Sequence, residues 1–158
     1  MRIGHGYDLH RLQPGGKLVL GGVVVSNDIS PIAHSDGDVV IHAVVDAICG
    51  ALGTGDIGTH FPDTDPAYRN ADSMIFLTQM RRDLEHAGFI VVNVDVTILA
   101  ERPRLSTFKA QMVANLARIL GGTVNVKAGT NEGCDAVGRG EAIAAHAVVL
   151  LAKNPGSP

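Results

Sequence analysis

The sequence predicts an α+β fold, a single domain whose mixed β-sheet carries its helices on one face. Three observations predict it. Val/Ile-rich segments with strand-like alternation recur along the chain, three segments of helical character interrupt them, and Gly-rich loops separate the elements with no repeat or linker. A length of 158 residues suits one compact domain. With helices on one side, the other sheet face needs cover. Only 18% of residues are charged, too few to solvate an open sheet as well, so the expected assembly packs sister subunits around the sheets.

Taken in order, "MRIGHGYDLHRL" at residues 1–12 reads as the first strand. "KLVLGGVVVS" at 17–26 reads as a hairpin with Gly21-Gly22 as its two-residue turn. From Asp38 to about Leu52 the chain is apolar or small except for Asp38, His42 and Asp46, which lie four apart and so form one polar line on a helix buried nearly all round. The loop "GTGDIGTHFPDTDPAYRN" follows, and Asp72 or Ser73 caps an amphipathic helix that runs to about Ala87 and stops at Gly88. "FIVVNVDVTILA" at 89–100 is a long strand in which Asn93 and Asp95 alternate with apolar residues. After "ERPR" a third helix spans about Ser106 to Leu120 and ends at Gly121-Gly122. "TVNVKA" and "EAIAAHAVVLLA" are the closing strands, with "GTNEGCDAVGRG" between them. The domain is expected over residues 1–152, and 153–158 as a disordered tail.

The formal net charge is −3 and no Lys/Arg cluster occurs, which argues against a nucleic-acid partner. No apolar run approaches a membrane span, and the polar N-terminus lacks the apolar core of a signal peptide. Cys49 and Cys134 form no CxxC, and the expected location is cytoplasmic, or plastidial had a transit peptide been removed.

Asp8 and His10 project from one face of their strand, with His5, Tyr7 and Leu9 on the other. Alone, such a pair is either a surface pair near a strand end or a chelate. His42 is either a hydrogen-bonded core histidine or a third ligand, and two imidazoles with one carboxylate form a catalytic zinc set that leaves a fourth position open. Asp46 is either an orienting partner for His42 or a structural acid. Ser35 or Asp36 serves as a helix cap, and Asp56 and Asp63 sit where turn chemistry also suffices. No P-loop, complete GxGxxG or G-x-S-x-G elbow is present. An acidic, His-rich site with few bases accepts a polyphosphate only with divalent metals neutralising both sides.

Together "RIGHGYDLHRL", "HSDGDVVIHAVVDAICGALGTGDIGTHFPDTD", "ERPRL" and "GRGEAIA" resemble, in this order and over nearly the whole chain, the 2-C-methyl-D-erythritol 2,4-cyclodiphosphate synthase family. The resemblance implies a homotrimer with active sites between subunits and a phosphorus–oxygen lyase of the non-mevalonate isoprenoid pathway. In it 4-diphosphocytidyl-2-C-methyl-D-erythritol 2-phosphate cyclises with release of CMP. Carried over by position, Asp8, His10 and His42 hold zinc, and Glu132 holds a second ion, Mg2+ or Mn2+, with the substrate phosphates. His34 and Thr130 take catalytic roles, aligning the phosphates. Substrate contacts fall on Asp8, His10, His34, Ser35, Asp56, Ile57, Gly58, Phe61 and Asp63. The nucleotide end falls on Ala100, Pro103, Arg104 and Leu105, and on Gly129, Thr130, Asn131 and Glu132. Ala136 and Arg139 lie where the family closes a cavity on the three-fold axis for isoprenoid diphosphates. The chain departs from the family where "GTNEG" replaces three threonines before the Glu and a Lys after it, where Ala136 replaces a frequent Phe, and where Arg104 replaces a Lys. A zinc phosphohydrolase and a non-catalytic metal and anion binder are the competing classes.

Overall fold

The structure is a computed structural model, and it describes residues 1–156. Its five-stranded sheet is mixed, in the order β4-β1-β7-β5-β6, where β1 is Arg2–Pro14, β4 Ile29–Pro31, β5 Phe89–Leu99, β6 Thr123–Gly129 and β7 Ala142–Lys153. All pairings are antiparallel except β5 with β6. That exception follows from the connection, because a parallel neighbour needs a crossover and helix α4 (Lys109–Leu120) lies between the two strands. β2 (Leu18–Leu20) and β3 (Val23–Ser26) form the predicted hairpin, with Gly21 and Gly22 at φ 56° and 69°. Both turn residues therefore occupy the left-handed region that a two-residue hairpin turn demands.

Helix α1 (Val39–Leu52) packs on β1 and β7, and α3 (Met74–His86) and α4 complete the helical layer over β5 and β6. The contact of α1 with β1 is backbone to backbone. A Cβ on Gly4 would stand 1.8 Å from the Ala47 carbonyl oxygen, and one on Gly6 2.0 Å from that of Ala43. Only glycine admits this approach, which brings the polar line of α1 within reach of the strand. On the opposite face Ile3 is 70% and Tyr7 48% exposed, so the sheet is open there, as the one-sided arrangement requires.

The cap of α1 is Asp38, not Ser35 or Asp36. Its fully buried carboxylate accepts from the N–H groups of Val40 and Ile41, and also from those of Gly21 and Gly22, tying the hairpin turn to the helix start. Burial pushes this carboxyl up to about 6, with the N–H donors working against that shift. Ser73 precedes α3 without capping it, while Asp72 accepts from the N–H of Met74. Short elements occupy segments expected to be loops: the edge strand β4, the one-turn helices α2 (Ile57–His60) and α5 (Asp135–Gly138), and a 3-10 turn at Pro66–Tyr68. α4 begins at Lys109 rather than Ser106, and β5 carries a bulge at Val92, where Val91 pairs with Leu151 but Asn93 with Leu150. The bulge turns Val92 outward and lets Val91 and Val94 both face the core. At the C-terminus Lys153 still pairs with Phe89, and the Asn154 N–H donates to the Gly88 carbonyl. The disordered tail expected from residue 153 thus gives way to ordered chain at its start, and its last residues, 157–158, lie outside those described.

Candidate functional site

Beyond Gly4 and Gly6, the helix-facing side of β1 presents Asp8 and then His10, both half-buried. His42, one turn into α1, meets them. Asp8 Oδ2 lies 2.9 Å from His42 Nδ1 and 3.1 Å from His10 Nε2, and the two imidazole nitrogens are 3.3 Å apart. The other Asp8 oxygen accepts from the Leu9 N–H at 2.9 Å, which leaves Oδ2 free to face the histidines. Burial by itself raises the Asp8 carboxyl, but hydrogen bonds and charge from His10 and His42 outweigh it and hold the group far below the usual carboxylate range. For His42 burial lowers, and the bond to Asp8 with the charges of Asp8, Asp38 and Asp36 reverses this, so its pKa is raised.

Among the described residues these three form the one group of ligand-bearing side chains close enough together to hold a metal ion. The donor set fits a tetrahedral ion. Ligand atoms about 2.0–2.1 Å from a zinc ion stand about 3.3 Å from one another. The observed separations of 2.9, 3.1 and 3.3 Å need only slight expansion to reach that.

The far nitrogen of His42 is also held: Nε2 is 2.9 Å from Ser73 Oγ and 3.2 Å from Ser35 Oγ. Asp46, expected as the orienting partner, does not play that part. Its carboxylate accepts from the Ile57 N–H at 3.1 Å and so anchors α2 instead.

A cavity of about 410 Å3 opens over the metal group. It gathers Asp8, His10, His42, His34 and Ser35 with Ile57 and Gly58 of α2 and Phe61 and Asp63 beyond it. Asp56 is not in its wall; its carboxylate accepts from the N–H and hydroxyl of Thr59 and caps α2. Tyr68 and Phe76 complete the cavity and were not apparent in the sequence. The Phe76 ring stacks on Phe61 at 4.6 Å and meets Tyr68 edge-on at 5.5 Å. No local pattern marks that trio, which comes from three separate elements.

A second cavity, about 270 Å3, holds Ala100, Pro103, Arg104, Leu105, Gly129 and Thr130. Glu101, the first residue of the "ERPRL" motif, also lines it, and one of its oxygens is buried without a partner. Thr130 therefore lies apart from His34 within one chain. Asn131 and Glu132 follow in the exposed loop, where Asn131 Nδ2 donates to Asp135 and the Thr130 hydroxyl donates to Glu132 at 2.9 Å. Glu132 has φ 51° and does not join the metal group. Arg139 forms a forked pair with Glu141, and half-buried Ala136 packs beside Val137 and Ala142. Among the described residues no helix is long and apolar enough to cross a membrane.

The geometry has close counterparts. A protein of Desulfosudis oleivorans named 2-C-methyl-D-erythritol 2,4-cyclodiphosphate synthase is 55% identical over 154 residues, covering 96% of this chain and 92% of its own. IspF of Plasmodium falciparum, solved as a CDP complex, superposes with a TM-score of 0.85 at 34% identity, over 97% of this chain and 96% of that one. The bifunctional IspDF of Campylobacter jejuni gives 0.92 at 39% identity over 96% of this chain, which spans only 42% of that longer protein. The YgbB family model matches residues 1–152, from the first strand that carries Asp8 and His10 through nearly all of the last one, and the chain belongs to the YgbB family.

Proposed function

We propose that the chain is a phosphorus–oxygen lyase of the non-mevalonate isoprenoid pathway. It converts 4-diphosphocytidyl-2-C-methyl-D-erythritol 2-phosphate to 2-C-methyl-D-erythritol 2,4-cyclodiphosphate and CMP. The observation that carries this reading is the convergence of Asp8, His10 and His42 at one end of a cavity shared with Ser35, Gly58 and Asp63. An oxygen of the 2-phosphate attacks the β-phosphorus, and the bond from that phosphorus to the bridging oxygen breaks. CMP leaves with the electron pair. Such a transfer requires alignment and charge neutralisation rather than a protein nucleophile.

A divalent ion on the three side chains, zinc by its donors, supplies Lewis-acid polarisation of phosphate oxygens. His34 and Thr130 align the phosphates. Ser35, Asp56, Ile57, Gly58, Phe61 and Asp63 take the methylerythritol phosphate end, and Ala100, Pro103, Arg104, Leu105, Gly129 and Asn131 the cytidine diphosphate end. Glu132, positioned by the Thr130 hydroxyl, is the ligand for a second, harder ion, Mg2+ or Mn2+.

The two cavities share no lining residue, which supports a homotrimer in which neighbouring subunits each hold one end of the substrate. The open face around Ile3, Tyr7 and Leu9 supports the same assembly. Ala136 and Arg139 belong to its axial cavity, where the guanidinium suits an isoprenoid diphosphate. A cytoplasmic location completes the reading, consistent with unpaired Cys49 and Cys134.

Phosphorus NMR of the purified protein with the diphosphocytidyl substrate, Zn2+ and Mg2+ tests this. The expected result is two coupled resonances of a cyclic diphosphate with free CMP, lost in His42→Ala. Inorganic phosphate or a linear monophosphate would instead identify a phosphohydrolase, and binding without turnover a non-catalytic protein.

A further inference from the structure

To ligate an ion through Nδ1, His42 must carry its proton on Nε2, yet a neutral imidazole exists in two tautomers. We infer that Asp36 and Ser73 are positioning residues that make this choice, through a hydrogen-bond chain running from Asp36 by way of Ser73 to His42 Nε2. The inference rests on the metal reading of Asp8, His10 and His42.

The direction of the chain follows from its far end. Asp36 Oδ2 accepts from the Ser73 N–H at 3.0 Å, and Oδ1 accepts from the Asp38 N–H at 3.2 Å. A carboxylate engaged in this way only accepts. The short contact between Ser73 Oγ and Asp36 Oδ1 therefore uses the serine proton. Ser73 Oγ is left with lone pairs, so at 2.9 Å it accepts from Nε2–H of His42. Nδ1, 2.9 Å from Asp8 Oδ2, is then the nitrogen whose proton an ion replaces.

Ser73 is wholly buried, so no bulk water competes for this bond. Ser35 Oγ is further from Nε2, at 3.2 Å, and accepts from the Gly37 N–H at 3.3 Å, which makes it the lesser partner. The chain also couples three segments distant in sequence: the loop before α1, α1 itself and the start of α3. Orienting partners of this kind raise ligand basicity and hold the ring in place, and their loss costs metal affinity.

The test combines long-range proton–nitrogen spectra of 15N-histidine-labelled protein with Zn2+ titration against a competing chelator. In zinc-loaded wild type, His42 is expected as the Nε2–H tautomer with a slowly exchanging Nε2 proton. Ser73→Ala is expected to weaken zinc binding by about 10–100-fold and to speed that exchange, while Ser35→Ala binds zinc much as wild type does. Unchanged zinc affinity in Ser73→Ala, or zinc on Nε2 of His42 in wild type, overturns the inference while leaving the metal site intact. Failure of wild type to bind stoichiometric Zn2+ refutes the metal reading, and the inference with it. Should Ser73→Ala not fold, Asp36→Ala, which removes the acceptor of the serine proton, is read by the same zinc affinity and Nε2 proton exchange.

Discussion

Gly6→Ala is the substitution that most directly tests how the fold builds the site. The added Cβ would lie 2.0 Å from the Ala43 carbonyl oxygen and 2.7 Å from the Ala47 nitrogen, both backbone atoms with no rotamer to yield. β1 and α1 must separate by on the order of 1 Å to reach ordinary van der Waals distance. Asp8 and His10 ride on β1 and His42 on α1, so the 2.9 and 3.3 Å separations across the group open by a similar amount. Metal sites tolerate about 0.2 Å of error in ligand distance, several times less than this displacement. Overpacking a core costs about 1–3 kcal/mol, and a backbone clash belongs at the upper end. At about 2–4 °C per kcal/mol for a domain of this size, a loss near 3 kcal/mol lowers Tm by about 6–12 °C. Thermal melts with and without Zn2+ measure both effects, and the zinc-induced rise in Tm should vanish along with the stability. A variant that melts within about 2 °C of wild type and keeps its zinc response would refute the backbone seating of α1 on β1.

The metal-free protein and its zinc response should depend on pH with opposite signs. The raised His42 pKa stabilises the metal-free fold fully below its ordinary 6.5, and this is lost as pH rises through the folded value. The depressed Asp8 pKa contributes above the ordinary 3.8 and is lost on acidification toward its folded value. Zinc must displace the His42 Nδ1 proton, so its stabilising effect should grow over the window above 6.5 in which the metal-free contribution declines; a pH series of melts with chelator or zinc checks this. Asp38→Asn leaves one acceptor oxygen and sets an amide N–H2 against the N–H of Gly21 or Gly22, costing about 1.5–3 kcal/mol in a urea melt. Thiol titration of the native protein should find Cys134 reactive and Cys49 silent until unfolding, because burial pushes the Cys49 thiol up to about 11 while Cys134 is exposed.

What was legible in the sequence is what period and local chemistry encode. Two-residue alternation sets Asp8 and His10 on the side of β1 away from Tyr7, the apolar run locates α1, and Gly21-Gly22 specifies the hairpin turn. The ordered motifs of the resemblance also carried the fold class and the family. Short elements were not legible. β4 is a three-residue edge strand that exists because β1 offers it a partner, and α2 is held by Asp56 and by the carboxylate of Asp46 from α1.

Which groups meet follows from packing between distant segments. Helical spacing offered Asp46 as the partner of His42, since residues four apart share a face. Folding sends Asp46 to the Ile57 amide and brings Ser73, the residue before α3, to His42. Residue order and periodicity put a polar line on α1 and an acid and an imidazole on one face of β1. That the two lines converge depends on the glycine backbone contact and on the Asp38 anchor to the hairpin turn. Periodicity states which side chains share a face; only packing, set by size and hydrogen bonds between segments far apart in the chain, states what that face touches.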